Sequence, residues 1–251
     1  MTPSTRSGRP EASHKVSRIL NRALLPCLLL SCLTLLCGQR AALANDSALM
    51  GVGGTLRPMR EHPSVRMVSE RVVARLGAKV DRVTATFVLR NVGAATTVQV
   101  GFPERGWGDV GRQSAEFLSF SSTVDGVPTS IRTTPWQGEE SQDLSRYRVK
   151  SVRFAPGQTR TVVVRYTARP GENSMGSRLF TYVVTTGASW KGSIGSADIQ
   201  VDATRLKGYV PRSAEPRGCK ARGLRFAWRF RDFVPKEEIS LELGRTKAVK
   251  S

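Results

Sequence analysis

The sequence predicts an all-β protein made of one or two antiparallel β-sandwich domains, which follow a cleaved N-terminal signal peptide. Three observations lead to this fold class. Apolar and polar residues alternate with period two from Val65 onward, turn residues separate the alternating runs, and no segment offers three turns of an amphipathic helix. Because each half-buried strand must cover its apolar face, a second sheet is expected opposite the first.

The first 44 residues have the pattern of an export signal. Basic residues up to Arg22 precede a mostly apolar run from Ala23 to Cys37, and Ala42-Leu43-Ala44 is typical of a cleavage site. The run is shorter than the roughly 18 or more apolar residues of a membrane-spanning helix, and no Arg-Arg pair precedes it. We therefore expect cleavage before Asn45, export by the general secretory route, a periplasmic or extracellular location and no transmembrane span in the mature chain.

The chain is basic, with 39 Lys and Arg against 20 Asp and Glu. Residues 1–44 hold six of the basic residues and one acidic residue, so the mature chain keeps 33 and 19 and a formal charge of +14. A positive field of this size favours anionic partners. We expect an anionic envelope polymer, a lipid surface or a partner protein, and no nucleic acid, because the protein is exported. The alternative is that basic residues are simply spread over solvated strand faces.

Cys219 is the one cysteine that follows the predicted signal peptide. A single thiol cannot form an internal disulfide, so the mature protein depends on core packing for its stability. Either an intermolecular bridge or an unpaired cysteine without a function is compatible with this count.

Residues 45–134 are predicted to form the N-terminal β-sandwich. From Val83 to Leu89 the apolar residues share one side of a strand, which Asn91-Val92-Gly93 ends. The run from Thr96 to Phe102 is predicted to return beside it as a hairpin. Pro103 is expected to end that second strand, because proline has no amide hydrogen for the ladder.

Asp125-Gly126 is a strong turn signal, since glycine accepts a positive φ at low cost. We expect strands on both sides of it, from Phe117 to Val124 and from Val127 to Thr133. Residues 135–146 then form an acidic linker or long loop, because turn residues and carboxylates replace the alternating pattern.

Residues 147–245 are predicted to form the C-terminal β-sandwich, and 246–251 a basic tail. The turn Ala155-Pro156-Gly157-Gln158 separates the first two strands of this part. The predicted strands run from Tyr147 to Phe154, Thr159 to Ala168, Leu179 to Thr186, Ala197 to Val201, Leu224 to Phe230 and Ile239 to Leu243.

Several of these segments resemble a bacterial family of secreted proteins known as domain of unknown function 4424. The similar segments are Asn45-Asp46-Ser47, Gly53-Gly54-Thr55-Leu56, Met67-Val68-Ser69-Glu70, Gly101-Phe102-Pro103, Phe180-Thr181-Tyr182-Val183 and the run from Thr186 to Gly192. The resemblance covers roughly residues 45 to 200. It implies a signal peptide, and it implies no activity, cofactor or catalytic residue. Glu104-Arg105 departs from the more apolar continuation that the family leads us to expect.

The mature chain offers little catalytic chemistry. Its one histidine, His62, precedes Pro63 in a polar stretch and is expected to lie in a surface loop rather than to act as a general base. One His and one Cys predict no metal site, and we expect no cofactor. Asp198 and Asp202 are four residues apart and are expected to point to the same solvent side, without the oxygen-rich loop that calcium prefers.

The most distinctive segment runs from Arg222 to Arg231. As a strand, it places its large apolar side chains on one face and Arg225, Arg229 and Arg231 on the other. It is either a core strand with a solvated basic side or a cationic ridge, since guanidinium groups bind phosphate and carboxylate in a bidentate manner. Trp190 is the remaining candidate ligand-binding residue, as an exposed platform; the alternative is an anchor for its loop on the core.

The sequence therefore predicts an exported, non-enzymatic interaction or structural module of the cell envelope. The alternative is a hydrolase of envelope polysaccharide that uses the carboxylates Glu139, Glu140 and Asp143, as paired carboxylates do in glycoside hydrolysis. A third option is an accessory subunit that works only beside a partner.

Overall fold

Strands account for nearly all regular structure in the part of the chain that the structure describes. The computed structural model describes residues 47–52, 55–58, 61–104, 117–135 and 146–246. The predicted signal peptide lies outside these residues, as do most of the acidic linker and of the basic tail. The strands are β1 (Ser47–Val52), β2 (Thr55–Pro58), β3 (Val65–Arg75), β4 (Asp81–Asn91), β5 (Thr96–Glu104), β6 (Phe117–Val124), β7 (Val127–Pro128), β8 (Arg132–Pro135), β9 (Arg146–Phe154), β10 (Thr159–Ala168), β11 (Gly171–Glu172), β12 (Arg178–Tyr182), β13 (Ile194–Asp202), β14 (Tyr209–Glu215), β15 (Lys220–Arg222), β16 (Arg225–Phe233) and β17 (Ile239–Arg245). A 3-10 helix, Thr185–Ser189, lies between β12 and β13.

The strands form three sheets. Eight strands lie in the order β15-β16-β13-β3-β4-β10-β6-β7, five in the order β2-β1-β5-β9-β8, and four in the order β11-β12-β17-β14. Neighbouring strands are antiparallel except β13 and β3, which are parallel. The predicted all-β fold class is confirmed, and the largest sheet is mixed rather than purely antiparallel.

The period-two pattern places one continuous core on the inner face of the eight-stranded sheet. Along β4 the side chains of Val83, Ala85, Phe87 and Leu89 are buried, as the alternation predicted. The five-stranded sheet packs onto this face through Phe102, whose ring centroid lies 5.4 Å from that of Tyr166 on β10. The four-stranded sheet packs on it as well, since residues of β12 and β17 belong to the same core. Two smaller sheets therefore cover one long sheet.

The eight-stranded sheet takes strands from both sides of the predicted linker. β10, from the predicted C-terminal domain, pairs with β4 and with β6, which both precede residue 135. All described residues belong to a single compact unit. The predicted linker at 135–146 thus does not coincide with a boundary between sheets.

The predicted hairpin between β4 and β5 is wrong. β4 pairs with β3 and β10, whereas β5 pairs with β1 and β9 in another sheet. The buried Asn91 holds the crossing between the sheets, because its Nδ2 donates to the carbonyl oxygens of Ala94 at 2.7 Å and Ala155 at 3.1 Å. A side-chain amide that satisfies two carbonyls replaces the tight turn of a hairpin.

The second predicted strand also continues past Pro103. Pro103 lies opposite Tyr147 in the pairing of β5 with β9, and the strand ends at Glu104. The Glu104 side chain is fully buried, and its Oε2 accepts a hydrogen bond of 2.7 Å from Arg148 Nε. This ion pair explains how a carboxylate stands where the family resemblance suggested an apolar residue.

Candidate anion-binding site

β16 presents the predicted arginine ridge. Arg225, Arg229 and Arg231 are exposed, while Phe226 and Trp228 are buried in the core. The side chains alternate because successive residues of a strand point to opposite faces of the sheet. The ridge therefore lies on the outer face of the eight-stranded sheet, the face turned away from the core.

β13 places two carboxylates beside the ridge. Asp202 lies opposite Arg225 and Asp198 lies opposite Arg229 in the antiparallel register. The Arg225 Nε lies 3.6 Å from Asp202 Oδ2, and the Arg229 Nε lies 4.0 Å from Asp198 Oδ1. The two arginine side chains stay 68% and 72% exposed, and pairs of this kind contribute only about 0–1 kcal/mol. The carboxylates orient the guanidinium groups without burying them.

A cavity of about 460 Å³ opens over β15, β16, β13 and β3. Among the described residues, its charged lining consists of Arg75, Lys220, Arg222, Arg225 and Arg229 with one carboxylate, Asp202. We refer to this cavity as the cationic pocket. Five positive charges against one negative charge favour an anionic group here, and guanidinium groups match the geometry of carboxylate and phosphate.

Asp202 is fixed at the end of β13 by the turn that follows. Its Oδ1 accepts hydrogen bonds from the Thr204 hydroxyl at 2.6 Å and from the Thr204 amide at 3.0 Å. These hydrogen bonds, followed by the nearby Arg225, lower the pKa of Asp202 below its usual value. The carboxyl is thus ionised at neutral pH and acts as a fixed acceptor beside Arg225.

The structure places the four predicted site residues in three different environments. Arg225 and Arg229 line the cationic pocket. Arg231 lies on the same face opposite Ser196 but is not part of the lining. Trp190 is 1% exposed, so the interpretation as an exposed platform is wrong and the anchoring alternative holds.

Trp190 and His62 together attach the loop after the 3-10 helix to the start of β3. Their rings stack with centroids 6.4 Å apart. The His62 amide donates to the Ser189 carbonyl, and the Lys191 amide donates to the Val65 carbonyl, both at 2.8 Å. The prediction of a surface-loop histidine is wrong, because His62 is only 5% exposed under this loop.

His62 acts as a hydrogen-bond acceptor in its buried position. Its Nδ1 accepts from the Ser64 amide at 3.1 Å and from the Val65 amide at 2.9 Å. An imidazole nitrogen accepts a hydrogen bond only when it carries no proton. Burial lowers the pKa of His62 from its usual 6.5. The neutral imidazole is therefore the form that stabilises the fold.

We predict a corresponding pH dependence of stability. Since the folded-state pKa lies below the unfolded value, the His62 contribution is complete above about pH 6.5 and is lost as the pH falls through the folded-state pKa. Urea unfolding at pH 7.5 and pH 5.0 should show a larger loss in the wild type than in His62→Asn, whose side-chain oxygen accepts without titrating. Equal losses in the two proteins would contradict this role.

Three of the five cations that line the pocket were not among the predicted site residues. Lys220 and Arg222 lie on β15, which pairs with β16, and Arg75 lies at the end of β3 on the other side of β13. The alternation along β3 indicates that Arg75 is exposed. Only the pairing of β13 with β3 places it beside Asp202, and no local pattern predicts that pairing.

The remaining candidates have different outcomes. Glu139, Glu140 and Asp143 lie outside the described residues, so the hydrolase alternative stays a prediction. Cys219 is half-buried and unpaired, and burial raises the pKa of its thiol.

In the described ranges, no group of three or more His, Cys, Asp or Glu residues is placed to hold a metal ion. Likewise, no helix there is long and apolar enough to cross a membrane.

A known structure shares the fold at low sequence identity. A protein from Legionella pneumophila, described as a "putative nutrient binding protein", matches with a TM-score of 0.61 at 17% identity, over 81% of this chain and 72% of its own. At this identity the likeness shows the fold alone. Two structures of an M1 zinc metallopeptidase from Deinococcus radiodurans give TM-scores of 0.35 and 0.34 at 10% identity, over 72% and 73% of this chain and 43% of theirs. No curated protein matches the chain.

The family comparison finds a match in the C-terminal part of the chain. Residues 157–241 match the family described as Domain of unknown function (DUF4424). The matched segment begins just before β10 and ends within β17, so it includes β13, β15 and β16 of the cationic pocket. The segments near Asn45 that suggested the resemblance lie outside it. The predicted resemblance to this family is confirmed, and it is carried by residues 157–241.

Proposed function

We propose that the protein is exported and acts outside the cytoplasm as a non-enzymatic binding protein that holds an anionic ligand in the cationic pocket. The observation that carries this proposal is the set of five cationic side chains around a cavity of about 460 Å³, where Asp202 is the one carboxylate in the part of the chain that the structure describes. Such a cavity has the size of common small-molecule sites. The signal pattern of residues 1–44 supports the location.

The geometry favours binding over catalysis in this pocket. Asp202 is held ionised by Thr204, so it suits the role of a fixed acceptor that orients Arg225 rather than that of a proton donor. The arginines remain charged at all physiological pH values and bind oxyanions without exchanging protons. The description of the Legionella protein as nutrient-binding agrees with a binding role, and the ligand class proposed here rests on the charges of the pocket.

A charge-matched pair of variants tests the proposal. In Arg222→Gln/Arg225→Gln/Arg229→Gln, we expect the affinity for inorganic phosphate or citrate to fall at least tenfold, because hydrogen bonds to charged groups contribute about 1.5–3 kcal/mol each. Isothermal titration calorimetry at low salt measures the affinity. The control Arg153→Gln/Lys207→Gln/Lys236→Gln removes three exposed charges that do not line the pocket.

The control keeps the net charge equal, so it separates pocket contacts from the general field of a basic protein. We expect the control to bind both anions within about twofold of the wild type. If the two triple variants lose affinity equally, or if the wild type binds neither anion, the pocket is not an anion-binding site.

A further inference from the structure

The positive charge of the outer face continues well beyond the cationic pocket. The register of the eight-stranded sheet aligns one row of outward side chains across six strands, from Arg222 through Arg225, Asp202, Arg75 and Arg82 to Thr167. Neighbouring strands are about 4.8 Å apart, so this row is about 24 Å long. Arg82 belongs to the row and lies outside the pocket lining.

Two adjacent rows carry further cations. One row contains Gln200, Val73, Thr84 and Arg165, and the other contains Arg229, Asp198, Arg71 and Thr86. Arg71, Arg82 and Arg165 are all exposed and lie on β3, β4 and β10. A small ligand in the pocket does not reach Arg165, which is two strands away from the pocket residue Val73. The charged surface is therefore longer than the pocket.

We propose that the ligand of the cationic pocket is one segment of a linear polymer with repeating phosphate or carboxylate groups, which lies across the strands from β15 to β10. This inference rests on the proposed function of the pocket. A polymer that crosses the strands meets a cation in the pocket and again at Arg82 and Arg165. Contacts at several positions of one chain raise the total affinity, because later contacts form at high effective concentration.

The side chains between the arginines favour a polar, water-soluble polymer over a lipid surface. Thr84, Thr86, Thr167 and Gln200 lie among the cations and offer hydroxyl and amide groups. The large apolar side chains that are exposed in the described residues, such as Val127 and Met175, are not in these rows. Proteins that bind a membrane surface combine cations with apolar side chains that enter the lipid. Single-stranded nucleic acid requires aromatic stacking platforms, and the three rows contain none.

The test compares a polymer with its own monomer. The probes are an oligogalacturonate of about twelve residues and galacturonate, with a polyphosphate of similar length and phosphate as the second pair. The variant Arg82→Gln/Arg165→Gln removes two cations outside the pocket, and Arg153→Gln/Lys207→Gln is its charge-matched control. We expect the outer-face variant to bind at least one oligomer about tenfold more weakly while the monomer affinity changes less than twofold.

Salt dependence provides a second readout. Each lost contact with a polyanion lowers the slope of log affinity against log salt by about 0.7–0.9, so the outer-face variant should show a slope smaller by about 1.5 than its control. A shift in slope without a shift in monomer affinity is specific to contacts along a polymer.

The outcomes separate the two proposals. If the outer-face variant binds both oligomers as tightly as its control, the ligand is confined to the pocket, and the polymer is excluded while the pocket function stands. If the pocket triple variant also binds phosphate and citrate normally, the pocket function itself fails. Tighter binding to vesicles of anionic phospholipid or to a single-stranded oligodeoxynucleotide than to either polymer overturns the proposal in favour of that class.

Discussion

Replacement of Asp81 by Ala is expected to lower the free energy of unfolding by about 3–5 kcal/mol, because it leaves the buried charge of Arg178 without a counter-ion. Asp81 is 5% exposed at the start of β4, and Arg178 is 2% exposed at the start of β12. The Asp81 Oδ2 accepts a hydrogen bond from Arg178 Nη2, and Oδ1 accepts one of 3.1 Å from the Gly77 amide. The pair connects the eight-stranded sheet with the four-stranded sheet.

Apart from Asp81, the guanidinium of Arg178 is held by neutral backbone groups. Its Nη1 donates to the carbonyls of Gly171 at 2.9 Å and Leu179 at 2.6 Å, while its Nε is buried without a hydrogen-bond partner among the described residues. Burial raises the pKa of Asp81 more than the charge of Arg178 lowers it. Desolvation thus outweighs the attraction within the pair, and the expected loss comes from the stranded cation rather than from a strongly stabilising ion pair.

Urea unfolding of Asp81→Ala measures the effect, with Asp198→Ala as the control. Asp198 also lies on a strand and faces an arginine, but that pair is exposed, so its loss should cost less than about 1 kcal/mol. The double variant Asp81→Ala/Arg178→Met should recover part of the loss, because it removes the unpaired charge. A loss below 1 kcal/mol in Asp81→Ala would show that Arg178 does not depend on this carboxylate.

The sequence predicts the faces of the strands better than their partners. The period-two pattern correctly places Phe87 and Leu89 in the core and Arg225 and Arg229 on the surface, because a strand imposes this alternation whatever lies beside it. The chain crosses between sheets after Asn91, where a hairpin was predicted. The crossing is held by a hydrogen bond from the Asn91 side chain to the carbonyl of Ala155, which lies far along the chain. Local sequence patterns carry no information about such a contact.

The candidate site likewise depends partly on local sequence pattern and partly on strand pairing that the local pattern does not predict. Three of its cations are Lys220, Arg222 and Arg225, which already form a basic cluster in the sequence. The pocket becomes complete only when the parallel pairing of β13 with β3 brings Arg75 next to Asp202. His62 is similar, since its burial depends on Trp190 folding over it from the loop after the 3-10 helix. The predicted exposure of a polar residue is therefore wrong where a segment distant in the sequence covers its side chain.

Replacement of Trp228 by Ala is expected to lower the free energy of unfolding by about 3–5 kcal/mol, as is typical of a large aromatic side chain removed from a core. Trp228 is fully buried on β16, and its Nε1 donates a hydrogen bond of 2.9 Å to the Pro216 carbonyl. Trp228→Phe keeps most of the apolar contact but leaves that carbonyl unpaired, so its expected loss is smaller, about 1–3 kcal/mol. Urea unfolding at pH 7.5 measures both variants.

The position of Trp228 links the core to the cationic pocket, because Arg229 is its chain neighbour and points to the opposite face of the same strand. If packing of Trp228 holds β16 in place, Trp228→Phe should stay folded and keep phosphate affinity within about twofold, while Trp228→Ala should lose both stability and affinity. Leu118→Ala is the control, since Leu118 is 49% exposed and its loss should cost no more than about 0.5 kcal/mol. A loss in Trp228→Ala as small as that of the control would mean that the packing of this tryptophan does not hold β16, the strand that carries Arg225 and Arg229, in place.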